Sequence, residues 1–126
     1  VHNHLMNYFH KDFDHYRIHL YHYLNKILQK NLNKVTKDTV YVIHRDWKTK
    51  DVKVVAEVYL DKNLSLSQKI DRAFMLTNSI EDAWWNNDDV TPMFDGDGCR
   101  STSVGDQVLV GNTKYECSPY GWEIIT

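Results

Sequence analysis

Two neighbouring apolar segments in the first half of the chain decide the fold. Residues 39–47 read TVYVIHRDW, and residues 52–60 read VKVVAEVYL. Both segments are rich in β-branched and aromatic residues, which favour extended strands. The four residues between them, KTKD at 48–51, are polar and few enough to form a turn. Residues 39–60 are therefore predicted to form an antiparallel β-hairpin.

A long helix is predicted before this hairpin. Residues 1–34 contain neither Gly nor Pro, and apolar residues recur there at spacings of three and four, as on one face of a helix. This face is expected to lie inward, and it comprises Leu5, Phe9, Phe13, Tyr16, Leu20, Tyr23, Leu24 and Ile27. Lysines collect toward the end of the segment, where the helix dipole favours cations. A break into two pieces near Asp12 is compatible with the same pattern.

A second helical segment is predicted after the hairpin, over residues 67–86. Ser67 is a candidate N-cap for one short helix, and Ser79 is a candidate N-cap for another that carries Trp84. Residues 87–98 contain a proline and two Asp-Gly pairs, which are typical of a loop.

Residues 100–126 are predicted to form a C-terminal β-hairpin region. Strands are expected at 107–110 (QVLV) and 113–117 (TKYEC), joined by a tight turn at Gly111-Asn112. A further turn at 118–121 (SPYG) leads into residues 122–125 (WEII), a candidate third strand. The resulting order of elements predicts an α+β fold. Its long N-terminal helix and one or two short helices pack on a mostly antiparallel sheet of four to five strands. The length of 126 residues suits a single domain, 1–126.

Composition limits the classes of function. Fifteen basic and seventeen acidic residues give a formal net charge of -2, which does not indicate a polyanionic partner such as duplex DNA. No apolar run is long enough to cross a membrane, and no signal peptide is recognised at the start. The two cysteines, Cys99 and Cys117, fit neither a disulfide framework nor a zinc motif and are typical of a reduced, cytosolic protein.

The most distinctive segment is Arg100-Ser101-Thr102-Ser103-Val104-Gly105-Asp106. Together with the strands after it and the closing Tyr120-Gly121-Trp122, it resembles the C-terminal pattern of small, uncharacterised bacteriophage proteins. It is also similar to the YodL-like domain of bacterial and mobile-element proteins. Residues 77–85 (TNSIEDAWW) resemble the phage set as well, so the resemblance covers residues 67–122. It implies a virus-encoded accessory protein in the cytoplasm of an infected bacterial host, and it supplies no catalytic residues.

The side chains of this segment allow two interpretations. Ser101 and Ser103 can hydrogen-bond to the backbone of a turn, and Arg100 can pair with a carboxylate such as Asp82 or Asp106. The segment would then be a structural corner that begins a hairpin. Alternatively, the same groups face a ligand phosphate or a partner carboxylate, and the binding residues are Arg100, Ser101, Ser103 and Asp106.

Six of the seven histidines lie before residue 23. On the predicted helix His15, His19 and His22 share one stripe opposite the apolar face, which predicts a solvated or partner-facing surface. The spacing of His15 and His19 can hold a transition metal, but Tyr16 stands where the zinc-enzyme pattern needs a Glu. No physiological metal site and no cofactor are therefore expected.

Catalysis has little support, because the chain lacks a nucleophile elbow, a P-loop and a glycine-rich dinucleotide turn. Adjacent Trp84 and Trp85 cannot both face one core from a helix, so Trp85 is a candidate anchor for a partner. The favoured hypothesis is a non-enzymatic protein that binds a host bacterial protein or assembles with itself. One alternative is a small-ligand or nucleotide binder, or a minor enzyme, that uses residues 100–106. Another is single-stranded nucleic-acid binding by the hairpin around residues 41–59, although the net charge of -2 does not favour nucleic acid as a partner.

Overall fold

A computed structural model of the chain describes the backbone of residues 2–125 and the side chains of residues 16–125. Helices α1 and α2 and six strands follow one another along the chain, with one short 3-10 helix at Trp84–Asn86. Their bounds are α1 His2–Thr36, β1 Asp38–Arg45, β2 Val52–Leu60, α2 Leu66–Leu76, β3 Val90–Pro92, β4 Gln107–Val110, β5 Thr113–Ser118 and β6 Gly121–Ile125. The predicted α+β class is confirmed.

The six strands form one antiparallel sheet in the order β3-β2-β1-β4-β5-β6. Four to five strands were predicted, and the additional one is β3, which was expected to be loop. Its residues Val90 and Pro92 lie opposite Val58 and Ala56 of β2. Proline is tolerated there because β3 is an edge strand, where one side of the backbone needs no hydrogen-bond partner.

The predicted hairpin pairs Asp38 with Leu60 at one end and Arg45 with Val52 at the other. Strand β1 ends at Arg45, so Trp47 lies in the connecting loop. The sequence-based prediction, which placed Trp47 in the strand, is wrong at this residue. The loop is held by Asp46, whose carboxylate accepts the N–H groups of the two residues after Trp47, at 2.8 and 3.0 Å.

The core lies between the sheet and α2. It consists mainly of strand valines, with Ala56 and Leu60 of β2, Ala73 of α2 and the indole of Trp84. The strand members with at most 1% exposure are Val40, Val42, Ala56, Val58, Val90 and Val108. The indole N–H of Trp84 donates to the carbonyl oxygens of Cys99 and Arg100 at 3.2 and 3.0 Å. These bonds satisfy the polar atom of a buried tryptophan and fix the chain just before the distinctive 100–106 segment.

The predicted helical segment 67–86 is only partly correct. Helix α2 is capped by Ser65, not Ser67: the Ser65 hydroxyl accepts the Gln68 N–H, and the Gln68 side chain accepts the Ser65 N–H. A second α-helix does not form, because the backbone after α2 bonds to the distant 100–106 segment. The Thr77 carbonyl accepts the Thr102 N–H at 3.0 Å.

Helix α1 is continuous from His2, without the break near Asp12. Among its described side chains, residues 16–36, the buried one is Asn33 in the C-terminal turns. Asn33 donates to the carboxylate of Asp89, just before β3, at 3.1 Å, and the Lys34 ammonium lies 3.5 Å from the Glu57 carboxylate of β2. The side chains of residues 16–29 are all exposed. The prediction of an inward apolar face is therefore wrong for the described members of that face. Leu20, Leu24 and Ile27 expose 43%, 47% and 37% of their surface.

Candidate functional site

The 100–106 segment forms a tight corner around the carboxylate of Asp106, which has no exposed surface. The guanidinium of Arg100 donates to both of its oxygens, at 2.6 Å to Oδ2 and 2.8 Å to Oδ1. The Ser103 N–H donates to Oδ2 at 2.8 Å, and the Arg45 N–H at the end of β1 donates to Oδ1 at 2.9 Å. Two donors on each oxygen tie the corner to the sheet.

The remaining contacts of Arg100 are also within the chain. Its guanidinium donates to the carbonyl oxygens of Ser101 and Arg45, at 3.1 and 3.0 Å, and to the Ser103 hydroxyl at 3.3 Å. It lies over the Trp47 ring, 5.7 Å from the centroid. The structure thus brings together Arg100, Ser101, Ser103 and Asp106. It bonds them mainly to each other, and the carboxylate partner of Arg100 is Asp106 rather than Asp82.

This ion pair is held in its charged form. Burial acts to raise the pKa of Asp106, but the hydrogen bonds from Arg100, Arg45 and Ser103 outweigh burial, so its pKa lies below the usual range. The hydrogen bonds to Asp106 in turn raise the pKa of Arg100. The corner is a structural anchor of the domain.

A chain of hydrogen bonds runs beside this corner from α2 to His44 of β1. The Thr77 hydroxyl donates to the Ala73 carbonyl at 2.8 Å, so it accepts the Thr102 hydroxyl proton, also at 2.8 Å. Because the Thr102 hydroxyl donates to Thr77, it must accept from His44 Nε2, which is 2.8 Å away. The neutral imidazole therefore carries its proton on Nε2 and presents a lone pair on Nδ1.

That lone pair faces the thiol of Cys99, with 3.6 Å between Nδ1 and Sγ. On the other side of the ring, the Asp106 carboxylate lies 3.8 Å from Nε2. Burial lowers the pKa of His44 to about 4, with Asp106 opposing and Arg100 adding to the shift. Burial also raises the pKa of the Cys99 thiol. Both groups are therefore neutral near pH 7.

His44 and Cys99 line an open cavity of about 440 Å³ between the loop at residues 46–51 and the strand that follows it. Lys53, Asp46 and Asp51 lie at the same cavity. The sequence interpretation missed the Cys99–His44 pair, because 55 residues separate its members and they meet only when β1 pairs with β4. Residues 39–47 placed His44 on a predicted strand, and no local motif links it to Cys99.

The other predicted site residues lie elsewhere. Trp85 is half-buried in an aromatic cluster, with its ring centroid 5.6 Å from Trp84 and 5.5 Å from Phe94. His19 and His22 are exposed on α1, and the side chain of His15 lies outside the described residues. Across the side chains of residues 16–125, no three His, Cys, Asp or Glu residues converge as metal ligands.

Within the described part of the chain, no helix is both long and apolar enough to cross a membrane. Comparison of the chain with protein-family models, with curated proteins and with solved structures gives no match. The function is therefore inferred from the geometry of α1 and of the domain at its end.

Proposed function

We propose that this is a binding protein that assembles with a second copy of itself through α1. The observation that carries this proposal is the exposure of every side chain of residues 16–29. The large apolar members of that stretch are Tyr16, Ile18, Leu20, Tyr21, Tyr23, Leu24, Ile27 and Leu28. A helix without tertiary packing is only marginally stable in water, and an apolar surface of this extent is typical of an interface.

The spacing of the apolar residues favours another helix as the partner. From residue 6 to residue 27, apolar side chains recur at alternating intervals of three and four, which places them at the a and d positions of three heptads. They are Met6, Phe9, Phe13, Tyr16, Leu20, Tyr23 and Ile27. A sustained repeat of this kind is the pattern of a coiled coil, in which a and d side chains of facing helices interlock.

The repeat stops where α1 reaches its own domain. The next d and a positions hold Lys30 and Lys34, and the ammonium of Lys34 lies 3.5 Å from the Glu57 carboxylate of β2. The apolar seam therefore belongs to the part of α1 that leaves the sheet.

Charge favours a second copy in parallel orientation. In a parallel pair, each g residue faces the e residue five positions later on the other helix. This places Asp12 opposite Arg17 and Lys26 opposite Asn31, and no two like charges meet at these flanking positions. The charges at the e and g positions of one helix are therefore compatible with those of a second, parallel copy.

The test is the molar mass of the full chain in solution by sedimentation equilibrium, at micromolar concentrations. We expect the wild type to associate and Leu20→Asp, at an a position, to be monomeric. Ile18→Asp is the matched control, because Ile18 is 54% exposed but lies outside the a and d positions. A monomeric wild type, or equal dissociation by Leu20→Asp and Ile18→Asp, would refute the proposal.

We also propose that the assembled protein is a virus-encoded accessory factor that contacts a host protein in the bacterial cytoplasm. The support is the resemblance carried by residues 100–106 and 77–85 together with the exposed side chains of His19 and His22. The test is capture of one host protein by the wild type and its reciprocal capture of this chain. We expect the double variant His19→Glu/His22→Glu to lose this partner, and retention of the partner would exclude the stripe as the contact.

The geometry does not favour a ligand site at the 100–106 corner. Its guanidinium and carboxylate are hydrogen-bonded within the chain, so a bound phosphate would have to displace the contacts that hold the corner together.

A further inference from the structure

The thiol of Cys99 and the imidazole of His44 form a site that α1 does not use. We propose that Cys99 is a nucleophilic thiol that accepts acyl groups from small activated esters or thioesters, with His44 as its general base. The two residues are 3.6 Å apart, from Sγ to Nδ1, and both line the open cavity of about 440 Å³. A cavity of this volume is within the range of small-molecule sites.

The orientation of the His44 imidazole is fixed by the hydrogen bond of Nε2 to the Thr102 hydroxyl, on the side of the ring away from Cys99. The hydrogen bond of Nε2 to Thr102 continues through Thr77 to the Ala73 carbonyl, and this order of donors leaves Nδ1 as an acceptor toward the thiol. A nucleophile, a base within reach of it and a third group that orients the base together make up the arrangement found in covalent catalysis. Thr102 is thus a positioning residue.

The buried carboxylate of Asp106 supplies a negative charge near the His44 imidazole. It lies 3.8 Å from His44 Nε2, and its charge favours the imidazolium that forms when Nδ1 takes a proton. The bidentate contact with Arg100 holds the carboxylate in place. Because the resting thiol and imidazole are both neutral, proton transfer accompanies the formation of the sulfur–carbon bond.

The reaction needs no metal, oxidant or cofactor. Cys99 Sγ bonds to the carbonyl carbon while its proton passes to His44 Nδ1. The tetrahedral intermediate then expels the alcohol or thiol, which takes that proton, and a thioester on Cys99 remains. Water next adds to the thioester and gives a proton to Nδ1. The carbon–sulfur bond breaks, the acid leaves, and Sγ recovers its proton.

The charges around the cavity indicate the kind of acyl compound. Of the cationic side chains there, Arg100 is paired with Asp106 and Arg45 is paired with Glu116, at 2.8 Å. This leaves Lys53 beside Asp46 and Asp51 at the cavity. These three side chains leave a net charge of -1, so the site suits a small acyl compound of low charge rather than a polyphosphate.

The chain contains its own control, because Cys117 is also a half-buried free cysteine whose pKa is raised by burial and which has no histidine partner among the described residues. The probe is p-nitrophenyl acetate, with release of nitrophenolate followed by absorbance and the acetylated cysteine identified by mass spectrometry. We expect a burst of about one equivalent per chain, located on Cys99. Cys117→Ser retains this burst, Cys99→Ser loses it, and His44→Gln slows it about 100-fold.

The pH profile of the wild type separates this proposal from ordinary thiol reactivity and does not depend on the folding of any variant. An ordinary thiol such as Cys117 reacts as its thiolate, so its acetylation rate rises about tenfold per pH unit below its pKa. A neutral thiol–imidazole pair gives a rate for Cys99 that is nearly constant between about pH 5 and 8. Parallel profiles for the two cysteines, or a burst located on Cys117, would overturn the proposal.

Discussion

Arg100 and Asp106 form a bidentate ion pair in which the acid has no exposed surface and the base is more than one-third exposed. The pair joins the 100–106 corner to the end of β1, because Asp106 also accepts the Arg45 N–H and Arg100 donates to the Arg45 carbonyl. The corner precedes β4, the strand that connects the N-terminal hairpin to the rest of the sheet. The stability of this sheet therefore depends on an ion pair whose negative charge, on Asp106, is buried and whose positive charge, on Arg100, is partly screened by solvent.

Replacement of Arg100 by Met is expected to lower the free energy of unfolding by about 3 kcal/mol, since it leaves a buried carboxylate without its cation. Urea denaturation at pH 7 measures the loss. Arg45→Met is the matched control, because the Arg45–Glu116 ion pair is partly exposed on both sides and its loss should cost less than about 1 kcal/mol. Equal losses for the two variants would show that the burial of Asp106 does not set the cost.

Stability is expected to fall as the pH drops from about 6.5 to 4, because His44 has a pKa of about 4 in the folded protein and 6.5 as its unperturbed value. Between these values the unfolded chain binds a proton that the folded chain excludes. The difference corresponds to about 3 kcal/mol. The groups that face the ring are Cys99, Asp106 and Arg100. The lowered pKa of Asp106 adds its own loss only below its ordinary value of 3.8.

Urea denaturation of the wild type and of His44→Gln between pH 7 and pH 4.5 checks this window. We expect His44→Gln to lose most of the pH dependence. His22→Gln, on the exposed part of α1, should retain the wild-type dependence. A wild-type unfolding free energy that stays constant over this interval would contradict the burial of a neutral His44.

Two features require glycine at position 105: its positive φ angle and the close approach of the Trp47 ring. Gly105 has a φ of +92°, and a Cβ there would lie 2.9 Å from Cη2 of Trp47. Gly105→Ala should therefore cost about 2 to 3 kcal/mol in thermal or urea unfolding. Gly111→Ala tests backbone strain alone, because its φ is +60° with no atom within 4 Å of the added Cβ, and it should cost about 1 kcal/mol. Trp47→Ala in the Gly105→Ala background should recover part of the loss, and no recovery would exclude the contact as its cause.

Local sequence patterns predicted the elements that carry a clear alternation, turn motif or helical period. The hairpin of residues 39–60 and the strands around Gly111 follow from alternation and turn residues, and α1 follows from its 3.6-residue periodicity. The edge strand β3 could not be predicted from its three residues, since Pro92 opposes strand formation except at an edge. The periodicity of α1 predicted an inward apolar face, but the described members of that face are exposed, because periodicity cannot show what covers a helix face.

The candidate site was predictable only in part, because some of its contacts join residues that are far apart in the sequence. Arg100 and Asp106 are six residues apart, so their pairing was one of the two that local chemistry suggested. The contact of His44 with Cys99 requires the pairing of β1 with β4 and the anchoring of residues 99–100 by the indole of Trp84. No sequence motif encodes that juxtaposition.

The proposed parallel coiled coil predicts a specific response to charge exchange. Asp12→Lys places a cation opposite Arg17 of the other helix twice per dimer, and Arg17→Glu places an anion opposite Asp12. Either change should raise the dissociation constant of the dimer about three- to tenfold, as expected for the loss of flanking ion pairs and their replacement by like charges. The double variant Asp12→Lys/Arg17→Glu restores opposite charges and should recover the wild-type constant, measured by sedimentation equilibrium at low salt.

The double variant also distinguishes the two orientations. In an antiparallel pair, e positions face e positions and g positions face g positions, so Asp12 and Arg17 would not meet and their exchange would restore nothing. Recovery that disappears in high salt, where exposed charges are screened, would identify the ion pairs as its cause. Weakened association in both single variants without recovery in the double variant would exclude the parallel, in-register arrangement while leaving the apolar seam to be tested by Leu20→Asp.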